Sequence, residues 1–190
     1  MTDPLGPQKN VLVENLRQFL SENCPPEIIQ SFEVSELPPL EIRDKMKALG
    51  IFGYTIPESY GGAGVQLTAA AVVVEELSRV WPSLAWIYIG TVFYGGANIL
   101  NLGTSEQKES FLPPLARGDM MMAYALTEPN AGSDATAAQL SALPEGDEFV
   151  INGSKTFISL ADKADWLITL ARTDPDAPQR LAQVAHQVRA

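Results

Sequence analysis

The sequence predicts an α+β protein in which a helical domain comes first and short strands follow. Apolar residues recur at helical spacing up to about residue 117, and after Gly118 they shift to short apolar or alternating runs. The 190 residues, 46% hydrophobic and 19% charged, give room for one good core or two small ones.

Leu12, Leu16, Phe19 and Leu20 mark the first helix. The connection from Pro25 to Pro39 holds two Pro-Pro pairs and is expected to be mostly irregular. Ile42, Met46 and Leu49 form the second helix, with Gly50 as its stop. Tyr60-Gly61-Gly62-Ala63-Gly64 lacks the Lys-Ser/Thr of a phosphate loop and the G-x-G-x-x-G spacing of a dinucleotide site, so it reads as a turn between helices. Thr68 to Val80 is the third helix, its β-branched run Val72 to Val74 requiring packing to override propensity.

Ser83 to Leu102 is the fourth helix, within a stretch uncharged from Arg79 to Glu106. It has the length of about 20 residues that a membrane span needs. Thr91, Asn98, Asn101 and three glycines favour instead a helix buried in a helical bundle. Thr104 and Gln107 have capping-box spacing and open a fifth helix, which Pro113 and Pro114 are expected to end. These five helices make a domain of residues 1–118.

Residues 119–173 read as the first part of a β-domain. Met120 to Thr127 is a short apolar run; Ala138, Leu140 and Ala142 alternate before the turn-like Pro144-Glu145-Gly146-Asp147. Phe149 to Asn152, Lys155 to Ile158 and Trp166 to Ala171 follow as short strands. In the tail, 174–190, Leu181, Val184, Ala185 and Val188 repeat at i, i+3, i+4 and i+7. Two readings stand for it: a short amphipathic helix over a sheet edge, or a chance pattern.

A net charge of −10 argues against nucleic acid or an anionic membrane surface as the main partner. Cys24 is the only cysteine, which forbids an intrachain disulfide and fits a reducing compartment. The first residues carry Asp3 and Glu14 without a basic or apolar leader pattern, so a cytoplasmic location is expected. His186 is the only histidine, which leaves neither a Ser-His-Asp arrangement nor a His/Cys zinc cluster.

The chemistry concentrates in Tyr124-Ala125-Leu126-Thr127-Glu128-Pro129-Asn130-Ala131-Gly132-Ser133-Asp134 and in Asn152-Gly153-Ser154-Lys155-Thr156-Phe157-Ile158-Ser159. These runs set hydroxyls, backbone N–H groups and aromatic rings beside strand-like segments, while Ala131 and Gly132 permit close approach. Glu128 and Asp134, flanking Pro129 and Asn130, read as turn-stabilising carboxylates. Both runs resemble the flavin-binding signature of the acyl-CoA dehydrogenase family, and the resemblance reaches back through Ile56-Pro57-Glu58-Ser59-Tyr60-Gly61-Gly62-Ala63-Gly64 to the N-terminal helices.

The resemblance implies FAD as cofactor and an acyl-CoA substrate, with α,β-dehydrogenation as the reaction. It places Tyr124, Leu126 and Thr127 along the isoalloxazine, with Thr127 bonding the pyrimidine side. Ser133, after Gly132, falls at the cofactor diphosphate and the phosphopantetheine side of the substrate. Phe157 takes the aromatic position against the flavin, where Trp is also common; Ser159, after Ile158, stands where the family often has Thr near flavin N5. The family's usual base is a glutamate on a C-terminal helical domain beyond this chain, so no catalytic residue is assigned. The fold implied is the N-terminal helical domain plus the first strands of a small β-barrel-like middle domain, truncated and not expected to turn over alone. The tail from Asp174 is expected to depart from the family.

The full-length family implies a homo-oligomer; alternatively a partner chain supplies the missing domain to a noncatalytic subunit or interaction module. A third reading is a flavin enzyme of the same fold acting on a nitroalkane or a carrier-bound acyl group. Trp86, Phe93 and Tyr94 line an acyl pocket or are simply core, and the sequence leaves both open.

Overall fold

A computed structural model describes residues 7–146, 148–174 and 184–189, the last for the backbone alone. The chain divides into two compact units after Met121.

In the first unit, α1 (Pro7–Asn23), α3 (Leu40–Met46) and α4 (Leu67–Val80) turn their apolar stripes inward, and Leu16, Leu20, Met46, Val73 and Leu77 meet in one core with Phe52, Trp81 and Tyr88. A fork from Arg17 to the buried Glu76 carboxylate, at 2.8 and 2.9 Å, ties α1 to α4. Its hydrogen bonds hold the Glu76 carboxyl below its ordinary value.

Contrary to the irregular connection expected between Pro25 and Pro39, α2 (Pro26–Ser35) occupies most of it. Pro26 supplies the preset φ of a first helical position, Glu27 complements the helix N-terminus, and Glu36 ends the helix at φ 56. The Trp81 indole N–H donates to Glu33 at 2.8 Å and anchors this helix.

The long apolar helix is continuous but not uniform: α5 (Pro82–Ile89) passes through a π-helical segment, Gly90–Ala97, into α6 (Asn98–Leu102). The Thr55 hydroxyl donates to the Val92 carbonyl at 2.7 Å, and Gly96 admits it, since a Cβ there would lie 2.8 Å from that oxygen. This satisfies part of the widened helix from outside. By length and composition the 21 residues Pro82–Leu102 suffice to cross a membrane. Leu84, Ala85, Tyr88 and Val92 nevertheless lie in the helical core.

The capping box at Thr104 and Gln107 is formed, with reciprocal bonds of 3.2 and 2.9 Å. Pro113 and Pro114 do not end the helix they were expected to end: α7 runs Ser105–Arg117. The carbonyls that would lose their i+4 donors belong to Glu109 and Ser110, both exposed to water. Leu112, Leu115 and Ala116 hold the other face in the core.

In the second unit, β1 (Met122–Ala125) pairs in parallel with β4 (Trp166–Ala171), with Met122 opposite Trp166. β5 (Val184–Arg189) pairs antiparallel with β4 on its other side, giving the order β1-β4-β5. β2 (Ser141–Glu145) and β3 (Glu148–Asn152) form a hairpin with Ser141 opposite Asn152. The hairpin joins the end of β4 through Ala142 N–H to Arg172 O and Arg172 N–H to Leu140 O, both 2.8 Å. Leu140, Ala142 and Ala171 form its small core.

Of the two readings open for the tail pattern, the amphipathic helix does not form, and one expected strand is absent. Val184, Ala185 and Val188 belong to a strand, not an amphipathic helix, because the open edge of β4 offers a ladder that six residues of helix cannot match; Leu181 lies outside the described residues. Lys155 to Ile158 is not a strand, because Phe157 takes φ 57 and breaks the extended run.

The turn before α4 gives a direct test of local sterics. At Gly62 a Cβ would fall 1.9 Å from the Ile56 carbonyl oxygen, whereas at Gly61, φ 79, it would meet nothing within 4 Å. Gly62→Ala is expected to destabilise the protein by about 3 kcal/mol and Gly61→Ala by about 1 kcal/mol, read as urea midpoints at constant m.

Candidate functional site

The residues that leave β1 enter a tight turn. Glu128 N–H donates to Ala131 O at 2.9 Å and Ala131 N–H donates back to Glu128 O at 3.2 Å, with Pro129 and Asn130 at the tip. The turn carries the Glu128 side chain inward. Its Oε2 accepts from Gln139 N–H at 2.7 Å, and its Oε1 accepts from Leu140 N–H and from Lys155 Nζ, each at 2.9 Å.

Lys155 Nζ also donates to Leu126 O at 2.9 Å, and Thr156 N–H donates to Thr127 O at 2.9 Å. The Lys155 and Glu128 side chains are only 8% and 7% exposed. Two segments far apart in sequence are thus sewn together by one ion pair and its hydrogen bonds. Burial pushes the Glu128 carboxyl up, but the Gln139 N–H, the Lys155 ammonium and the Leu140 N–H outweigh it and hold the group below its ordinary 4.5.

Beyond the seam the backbone is strained outward. Phe157, at φ 57, is 91% exposed, and Leu160 repeats the left-handed conformation at φ 62. A bulky residue held there costs on the order of 1–2 kcal/mol.

Of the residues singled out from sequence, Leu126 and Thr127 lie half-buried directly against Lys155 and Thr156, which brings Phe157 into the same neighbourhood. Tyr124 is half-buried on β1, and Gly132 and Ser133 are exposed just past the turn. Ile158 is half-buried and Ser159 exposed. Lys155 was missed by sequence reasoning, and Glu128 was given only a turn role. The available signal was an acid and a base inside the two signature runs, each flanked by uncharged residues. Among the described residues no acidic, histidine or cysteine cluster is placed to hold a metal ion.

The acyl-CoA dehydrogenase N-terminal domain matches residues 7–119, and the middle domain of the same family matches residues 123–187. The chain belongs to the acyl-CoA dehydrogenase family. The middle-domain match runs past Asp174, so the tail does not depart from the family there as the sequence reading expected. Among curated relatives, the 3-(aryl)acrylate reductase of Clostridium sporogenes is 40% identical over 169 residues, 88% of this chain and 44% of its own. The short-chain specific acyl-CoA dehydrogenase of Clostridium acetobutylicum is 39% identical over 167 residues, again 88% of this chain and 44% of its own. A glutaryl-coenzyme A dehydrogenase solved with glutaryl-CoA superposes with TM-score 0.92 at 33% identity, covering 100% of this chain and 48% of that one. The chain therefore spans less than half the length of the relatives it matches.

Acyl-CoA dehydrogenases use FAD, and the residues present fit part of such a group. Phe157 is an exposed aromatic residue and the Thr127 N–H has no acceptor among the described residues, a face and a donor of the kind a flavin ring needs.

Removing one partner of a buried ion pair leaves an uncompensated charge, at a cost of about 3–5 kcal/mol. Lys155→Met is expected to lose that much, and the double variant Lys155→Met/Glu128→Gln is expected to lose less than the sum of the single changes in a denaturant-unfolding cycle. The Glu128 contribution is full above its unfolded value of 4.5 and is lost as pH falls through the lower folded value. Stability curves should therefore fall more steeply below pH 4.5 for the native sequence than for Glu128→Gln.

Proposed function

We propose that this chain forms the flavin- and acyl-thioester-binding part of an oxidoreductase acting on the Cα–Cβ bond of an acyl-CoA. The observation that carries the reading is the seam between Leu126–Glu128 and Lys155–Thr156, in which the Thr127 carbonyl accepts from Thr156 N–H at 2.9 Å and the next residue, Phe157, is held at φ 57 and is 91% exposed. Phe157 offers the face on which an isoalloxazine packs. On this reading Leu126 and Thr127 orient its pyrimidine edge, and Ser133 meets the diphosphate and phosphopantetheine, a role its exposure after Gly132 supports. FAD, when bound, supplies the acceptor for the hydride taken from the substrate β-carbon. The names of two relatives, a reductase of 3-(aryl)acrylates and an acyl-CoA dehydrogenase, support this reaction class.

One observation favours a second reading, in which the sheet is completed by another chain. β1 and β5 are the outer strands of the β1-β4-β5 sheet, and edge strands invite pairing. A concentration-independent monomer by light scattering would count against it.

FAD titration of the purified 190-residue chain tests the main reading. Quenched flavin fluorescence and a shifted visible band are expected, further perturbed by an acyl-CoA ester. Phe157→Ala and Thr127→Ala should each weaken FAD binding by roughly tenfold. Failure of the unaltered, folded chain to bind FAD would sink the proposal.

A further inference from the structure

Lys155 is poised to do more than hold two segments together. Its ammonium lies 2.9 Å from the Leu126 carbonyl oxygen, the oxygen of the peptide whose N–H belongs to Thr127. A peptide is one conjugated unit, so a cation at its oxygen draws electron density from its nitrogen and makes the N–H a stronger donor. The Thr127 N–H has no intrachain acceptor among the described residues, whereas the Thr127 carbonyl is taken by Thr156.

Glu128 sets the opposite term. Its Oε1 faces the same ammonium at 2.9 Å and cancels part of its field, while Gln139 and Leu140 N–H groups fix the carboxylate independently of Lys155. The two side chains, only 8% and 7% exposed, act where screening by water is weak.

We propose that Lys155, held by Glu128, is a positioning residue that sets how strongly the Leu126–Thr127 peptide donates to the pyrimidine edge of bound flavin, and thereby the balance between oxidised and reduced cofactor. The proposal rests on the flavin reading above. Reduction adds negative charge at the pyrimidine end of a flavin, and a preorganised donor aimed there favours the reduced form more than the oxidised one. Removing the Lys155 charge weakens that donor; removing the Glu128 charge strengthens it. A tie that is merely structural would move both variants the same way.

The test uses the FAD-loaded chain as the unaltered sequence, Lys155→Met, Lys155→Arg and Glu128→Gln. Equilibrium reduction against dyes of known potential gives the ratio of affinities for reduced and oxidised FAD. Lys155→Met is expected to lower this ratio about tenfold, about 30 mV for a two-electron couple. Lys155→Arg should restore it to within about threefold, and Glu128→Gln should raise it above that of the unaltered chain. In the flavin-free proteins the Thr127 amide proton should shift upfield in Lys155→Met and downfield in Glu128→Gln. An unchanged ratio, or shifts of the same sign in both variants, overturns the proposal. If the unaltered chain binds no FAD, the flavin reading fails, while the Thr127 amide shifts still decide whether Lys155 polarises the peptide. If Lys155→Met does not fold, Glu128→Gln alone decides, and a lowered or unchanged ratio overturns the proposal.

Discussion

The buried pair between Glu128 and Lys155 is the interaction on which the surface proposed for flavin depends. Desolvating two charges is expensive, and a well-packed apolar pair of similar volume would hold the segments as firmly. What the charges add is direction. One carboxylate gathers the N–H groups of Gln139 and Leu140, and one ammonium reaches both that carboxylate and the Leu126 carbonyl. A turn, the start of a hairpin and the Phe157 segment are thereby fixed to one another without regular secondary structure. This suits a cofactor surface, because strands would consume the N–H groups that a ligand needs.

The helical unit obeys a different constraint, close approach of backbone. Gly62 packs against the Ile56 carbonyl, and Gly96 lets the Thr55 hydroxyl reach the π-helical segment. Such contacts place a helix with great positional economy, yet they leave no charged signature. The result is a core of interlocked apolar side chains, with Arg17 and Glu76 as its main polar clasp.

What could be read from sequence follows the range of the interaction. The Thr104–Gln107 box was legible because its chemistry closes within one helical turn, and the order of helices before strands followed from periodicity. The helix α2 was not, because Pro-Pro signals both an irregular chain and a helix start, and only the Trp81–Glu33 bond and partial packing of Phe32 decide between them. Pro113 and Pro114 stay inside α7 for a reason no local rule contains: the orphaned carbonyls fall on the wet face. β5 was obscured because three apolar residues at i, i+1 and i+4 serve a helix pattern as well as a sheet. At the site, the two signature runs were visible, whereas the pairing of Lys155 with Glu128 across 27 residues needed the fold to appear.

If the ion pair organises this surface before any ligand arrives, its hydrogen bonds hold in the flavin-free chain. Amide hydrogen exchange on the flavin-free chain checks this at Gln139, Leu140 and Thr156, whose N–H groups end on Glu128 and Thr127. Protection at these three comparable to that of the β1–β4 ladder is expected, and it should disappear in Glu128→Gln/Lys155→Met. Exchange at unprotected rates in the unaltered chain, with the β1–β4 ladder still protected, would show that the ion pair does not order this surface.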